Sequence, residues 1–259
     1  MAAVVGFPHF EHTFTRARSG WLRMLLVGIA IPLATIGGIG WGIGSLVSGG
    51  AEARNLGGVD YLDFVGPALV VAGAWQGGAG DSLWPILGHL KWLQTYDAMV
   101  AAGLGIADVV AGHLWWVVYR TLHNSVLATV VLAVFGVPQS AWVALLPLVA
   151  VLTAVAVAAP LCGFAATRED DHSFAVVYRL GVMPLFLFSG TFYPVDQLPD
   201  VLAAVVRAVP LWHGVELARG LSLGDLSPLA ALGHAAYLVL WLAVGLRYAL
   251  RTFERRLLA

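Results

Sequence analysis

The sequence predicts an all-α integral membrane protein. It has six transmembrane helices, an N-terminal interfacial helix, and a re-entrant external segment between spans five and six. Three observations predict it. Hydrophobic residues make up 59% of the 259 positions and charged residues 11%, with a mean hydropathy of +0.83; soluble domains carry about 25% charged residues. Residues 121 to 167 run for 47 positions without Asp, Glu, Lys or Arg. One span takes about 20 apolar residues, so that run holds two spans and a turn. With both ends placed inside, eleven basic residues fall on the inner side, including Arg23, Lys91, Arg168, Arg179 and the four tail arginines. Three, Arg54, Arg207 and Arg219, stay outside, which sets the orientation by the positive-inside rule.

Residues 1–23 are read as the interfacial helix. Phe7, Phe10, Phe14 and Trp21 form one stripe at helical spacing, with Glu11, Arg16, Arg18 and Arg23 on other faces. A basic amphipathic helix with aromatics opposite its charges lies in the membrane interface; a disordered leader is the alternative. The transmembrane domain then occupies 24–259. Its first span, about 24–47, lies in an uncharged run of 28 residues from Met24 to Ala51, too long for a signal-peptide core. Gly40 and Gly44 form a small-xxx-small pair suited to close packing. Residues 52 to 63 are polar and make an external loop.

Span two, about 64–87, carries Gln76 and Asp81. Burying an acid at membrane depth is costly, which makes Asp81 a candidate for lining a pathway, beside a solvated or helix-packing role. Residues 88–112 hold Lys91, Asp97 and Asp108 among moderate hydrophobics, with a break at Gly103-Leu104-Gly105. They predict a short helix, a turn and the entry to span three on the inner side. Spans three and four, about 113–135 and 142–166, are joined by the external turn Gly136 to Ser140. Arg120, in the inner half of span three, joins Gln76 and Asp81 as possible pathway lining. A charged internal connector, Arg168 to His172, leads to span five at about 176–193.

The segment 194–222 is the least regular. Breaks at Tyr193-Pro194 and Leu198-Pro199 precede Val201 to Val209, an apolar piece interrupted by Arg207 and ended by Pro210. It is too short to cross, so it dips in and returns. Such backbone survives at membrane depth only when buried in protein or lining a cavity. Val201, Val205 and Val206 can face apolar surroundings, with Asp196, Asp200, Arg207, His213, Glu216 and Arg219 at an outer rim. Span six covers about 226–246.

Three stretches carry a family resemblance: Phe188-Ser189-Gly190-Thr191-Phe192-Tyr193-Pro194, then Leu198-Pro199, then Pro210-Leu211-Trp212-His213-Gly214-Val215-Glu216-Leu217-Ala218-Arg219-Gly220. Together they resemble the signature of ABC-2 permeases, the membrane subunits of ABC exporters. The likeness is to the branch with nodulation-type lipo-oligosaccharide and daunorubicin-type drug exporters. It implies a bacterial plasma-membrane protein with both termini cytoplasmic, which exports a drug, a lipid-linked molecule or an oligosaccharide. It also implies two kinds of partner, a separate ABC ATP-binding subunit and a second permease chain. ATP and Mg would be bound by that ATPase, with no cofactor in this chain. Residues 88–112 would be the coupling loop, since Thr95, Tyr96, Asp97 and Asp108 match the family pattern there; an ordinary cytoplasmic loop is the alternative. Tyr193, Pro194, Pro199, Pro210, His213, Glu216 and Arg219 would form the external gate.

The residues also exclude chemistry. No GxxxxGK[ST] phosphate loop is present. One cysteine, Cys162, excludes an intramolecular disulfide and a cysteine metal cluster. A net charge of −1 offers no footprint for nucleic acid. His213 and Glu216, three apart, could share a helical face; a loop-fixing or substrate-contacting pair is the plainer reading beside an acid–base or metal role. An intramembrane lipid-modifying enzyme would need clustered acids or histidines at one face. A secondary transporter would show an internal repeat.

The charge asymmetry makes a topology prediction. With Cys162 replaced, single cysteines at Ala2, Ala53, Ser140 and Ala259 are challenged on intact cells with an impermeant thiol reagent. Labelling is expected only at 53 and 140, and labelling at either terminus overturns the orientation.

Overall fold

In the computed structural model, residues 6–17, 20–43 and 59–258 are described. Arg18, Gly44, the loop residues 52–58 with Arg54, and positions 2 and 259 lie outside them. Among the described residues the regular structure is entirely helical. Helix α1 spans Phe7–Ala17 and α2 Trp21–Gly37, which continues through wider turns to Ile43. Next come α3 Tyr61–Asp81, the short α4 Trp84–Leu87 and α5 Thr95–Ala101. The long α6, Ile106–Val134, is followed by α7, Leu146–Ala166. Helix α8, His172–Val177, passes through a wide turn into α9, Met183–Phe188. Helices α10 Asp200–Arg207, α11 Pro210–Leu223 and α12 Pro228–Leu257 complete the chain.

Three stretches are long and apolar enough to cross a membrane: Ile106–Val134, Ala141–Ala166 and Pro228–Leu257. A fourth is added if α10 and α11, bent by 83°, count as one broken span. The six spans expected from sequence exceed this number for physical reasons. Helix α2 and the α8–α9 unit are apolar but shorter. Helix α3 has 21 residues but buries fourteen of them, Asp81 included, inside the protein.

Helix α7 is the hub, packed against α12, α3, α6 and α11. Its buried face is mostly small: Ala150, Ala154, Ala158, Ala159, Ala165 and Gly163. Helix association in lipid has no hydrophobic drive, so close backbone approach through small residues supplies the contact. Helix α12 meets α7 through Gly245, where a Cβ would lie 2.5 Å from the Pro160 ring. Its remaining surface, with Leu232, Val239, Leu240 and Val244, is exposed and apolar, as a lipid-facing helix requires.

Two breaks follow from proline. Span two was expected to continue to about Leu87, yet α3 ends at Asp81. Pro85 has no N–H, so the Asp81 carbonyl four residues earlier loses its helical donor, and the chain kinks at Ser82-Leu83. Pro194, Pro199 and Pro210 each sit at a helix start instead of within one. They precede the 3₁₀ turn Val195–Gln197, precede α10, and open α11. A fixed φ and a missing donor suit that position.

Gly245→Val should therefore force α12 off α7 and cost roughly 1–3 kcal/mol through overpacking. Gly233→Ala, with nothing within 4 Å of its added Cβ, should be neutral. Thermal unfolding of the detergent-solubilised chain measures both, and equal melting temperatures would refute the packing role.

Candidate functional site

Helices α2, α3 and α6 border a cavity of about 490 Å³. The three residues singled out from sequence as pathway lining, Gln76, Asp81 and Arg120, all line it. Asp81 and Arg120 form an ion pair across the α3–α6 contact; the carboxylate is 12% exposed and the guanidinium 44%. A carboxylate buried to that degree needs its partner, since breaking a buried pair leaves an uncompensated charge. Gln76 and Asn124 place carboxamides at the same walls, and Gly73, Gly77 and Gly80 leave part of the α3 wall as bare backbone.

Below the cavity, the end of α3 meets α5 and α6. His113 Nε2 lies 3.1 Å from the Asp81 carbonyl freed by Pro85, and its Nδ1 lies 3.0 Å from the Tyr96 hydroxyl. The carbonyl can only accept, so Nε2 carries the hydrogen and the neutral ring accepts the Tyr96 O–H at Nδ1. Tyr96 is fully buried, and burial raises its phenol well above the usual range, keeping it a donor. Thr95 is half-buried and Asp97 exposed on the same short helix. Of the four coupling candidates, Tyr96 and Asp108 thus face the protein, and Asp97 faces outward.

Asp108 ties down the N-terminal helix. Its carboxylate accepts from Gly105 N and Gly6 N, each at 3.1 Å. Gly6 adopts a positive φ of 82° and touches the α6 backbone so closely that a Cβ would lie 2.4 Å from Gly112 N. Helix α1 packs along α6, where Phe10 and Phe14 meet Tyr119. The interfacial stripe expected from sequence is thereby partly turned onto protein. His9, outside that stripe, is 2% exposed and bonds Met99 Sδ at 3.2 Å. Burial, then His89 and His12, push its imidazole down to about 4, so it is neutral at pH 7.

The opposite end holds the α10–α11 bend. The turn frees the carbonyls of Arg207 and Ala208. His213 Nε2 donates to the first at 3.0 Å, and the Tyr237 hydroxyl donates to the second at 2.6 Å. His213 Nδ1 meets His234 Nδ1 at 2.9 Å, and its ring stacks on Tyr237 at 3.9 Å. The suggested His213–Glu216 pairing is replaced by other partners. Glu216 accepts from Arg219 Nη1 at 2.8 Å. Arg219 also donates to the Gly190 carbonyl at 2.6 Å and covers the Phe64 ring at 3.7 Å. It thus clamps α11 to the starts of α3 and of the proline-rich turn. On α10 the inward face is Ala203 and Val206; Val201 and Val205 point outward, at 80% and 55% exposed. Tyr193, Pro194 and Pro199 lie between these elements, and Pro210 is buried.

Sequence reasoning missed His9, His113, His234 and Tyr237. Pro85 signals the free Asp81 carbonyl, but the donor to that carbonyl lies 32 residues beyond Asp81 and is not encoded locally.

Residues 90–223 match the ABC-2 type transporter family, from the wide turn that follows α4 to the last residue of α11. The chain belongs to that family. Nodulation protein J of Rhizobium leguminosarum bv. trifolii is 27% identical over 239 residues, 92% of this chain and 88% of that protein. Nodulation protein J of Rhizobium meliloti (strain 1021) is 27% identical with the same coverage. That of Neorhizobium galegae is 26% identical over 90% of this chain and 86% of its own. The matched ABC-2 stretch contains α5, the Tyr96–His113 contact and the bend with its Arg219 clamp. Membership makes this a multi-pass membrane protein of the transport-permease type.

The clamp distinguishes two arginines. Arg219→Lys keeps the charge but cannot span Glu216 and Gly190 together, so it should cost about 1.5–3 kcal/mol. Arg207→Ala removes a pair whose Asp196 is 83% exposed and should cost about 0–1 kcal/mol. Paired thermal melts compare them, and an equal loss would remove the clamp from the account of the bend.

Proposed function

We infer that this chain is the membrane subunit of an ATP-driven exporter, assembled with a separate ABC ATP-binding subunit and a second permease chain, itself or a relative. Family membership supports the class and implies an ATP-binding partner, a reading in keeping with a sequence that has no phosphate loop. The observation that carries the reading is α5. It is a seven-residue helix with Asp97 and Ala98 exposed and Tyr96 anchored in the core, a rigid knob between two helices of the transmembrane body. We read it as the surface that docks on the ATPase. Six spans follow if α2, α3 and the α8–α9 unit also traverse the bilayer, with both termini in the cytoplasm of the bacterial inner membrane. The bend at α10–α11, capped by side chains and tethered by Arg219, is read as the external gate.

The substrate is an amphipathic molecule. The cavity supports this with apolar walls at Val27, Ile31 and Leu69 and polar groups at Gln76, Asn124 and the Asp81–Arg120 pair. Relatives named for nodulation favour a lipid-linked or oligosaccharide substrate over drug efflux and antibiotic resistance.

Thr95→Cys or Asp97→Cys, in a chain lacking Cys162, should crosslink to the ABC ATP-binding subunit of the assembled complex. Asp97→Lys should preserve ATP hydrolysis in the purified complex but reduce export into membrane vesicles. Normal coupling in Asp97→Lys, with no crosslink at either cysteine, would make α5 an ordinary loop.

A further inference from the structure

We propose that His113 is a positioning residue that joins the α5 knob to the wall of the α2–α3–α6 cavity, through Tyr96 on one side and the main chain of Asp81 on the other. The proposal deepens the permease reading and rests on it for its purpose, though not for its geometry.

The link is a row of directed contacts. Tyr96 leaves α5 and donates to His113 Nδ1 at 3.0 Å; His113 Nε2 donates to the Asp81 carbonyl at 3.1 Å; the Asp81 carboxylate holds Arg120 in the cavity wall. Each joint is buried except the last, with Tyr96 at 0%, His113 at 3% and Asp81 at 9% exposed. Buried side chains packed at crystal density shift together. The Asp81 carbonyl is open to this use because Pro85 withdraws the helical donor. A continuous α3–α4 helix would have consumed it, leaving His113 without its contact to the end of α3.

The same residue therefore holds the place where α3 breaks and the place where α5 attaches. Displacing Tyr96 pulls on His113, and His113 shifts the residue whose carboxylate fixes Arg120. The alternative is a purely structural role in which His113 satisfies two polar atoms and nothing is transmitted. The two differ in where a disturbance is felt. A structural loss loosens the whole bundle; a broken link alters the cavity and leaves the outer face unchanged.

Gly77 lines the cavity and has nothing within 4 Å of an added Cβ, so a cysteine there reports on the cavity without distorting it. In a Cys162→Ala background, Gly77→Cys and, separately, Ser140→Cys at the outer turn are reacted with a soluble thiol reagent in lipid nanodiscs. Tyr96→Phe and His113→Leu should change the rate at position 77 by roughly 2- to 30-fold, the range for residues along a coupling network, and leave position 140 unaltered. His113→Gln, whose amide can donate and accept in the same two directions, should restore the original rate. An unchanged rate at 77, an equal change at both positions, or no rescue by glutamine would overturn the link. If Tyr96→Phe and His113→Leu both fail to fold, His113→Gln against the parent still decides, by keeping or losing the parental rate at 77. Vesicle transport and ATP hydrolysis by the complex are measured alongside. A parent complex that neither hydrolyses ATP nor exports would overturn the permease reading while leaving the cysteine result intact.

Discussion

A backbone carbonyl deprived of its donor costs several kcal/mol inside hydrocarbon, and this chain breaks its helices at three such places. Pro85 frees the Asp81 carbonyl, the turn before Pro210 frees those of Arg207 and Ala208, and Gly190, at φ 81°, ends the helix leading to the proline-rich turn. Each receives a donor from elsewhere: His113, His213, Tyr237 and Arg219. A satisfied hydrogen bond contributes only about 1 kcal/mol net, so these donors matter more for what their loss would leave exposed. Each of these three breaks is matched to a side chain beyond it, and they hold because the helices that supply those donors are in place.

The regular parts rest on a different interaction. Helix α7 presents alanines and a glycine on several sides, which lets α3, α6, α11 and α12 approach it closely. That packing is dispersion between small groups and carries no direction. It sets where the helices lie, while the directed polar contacts set where they end and turn. The division also separates the two faces: small-residue contact fills the middle, the Tyr96–His113–Asp81 row sits below, and the Arg219 clamp sits above.

Much of the candidate site could be read from sequence by cost alone. Asp81 and Arg120 stood out as charges in apolar stretches, and both line one cavity with Gln76. Tyr96 and Asp97 stood out by family pattern, but sequence could not tell that one is buried and the other exposed. His213 and Glu216 were paired by their spacing of three, yet His213 meets His234 on α12 and Glu216 meets Arg219, three residues further along α11. A spacing rule does not rank the two neighbours that Glu216 has three residues away on its helix; its carboxylate takes the Arg219 guanidinium, and helix packing brings His234 to His213.

The sequence by itself determined the class of the protein, because hydropathy and charge along the chain decide what a bilayer accepts. It also marked the breaks at Pro194, Pro199 and Pro210, since proline acts on its own backbone and on the carbonyl four residues before it, although the same signal at Pro85 lay inside a run read as one span. Only the tertiary structure decided what fills each break. The carbonyl of Asp81 could have been met by any donor within reach; that it is His113, already bonded to Tyr96, depends on how α6 crosses the end of α3. Hydrogen bonds between distant segments are specified by distance and angle in three dimensions, and no local pattern in the chain carries that information.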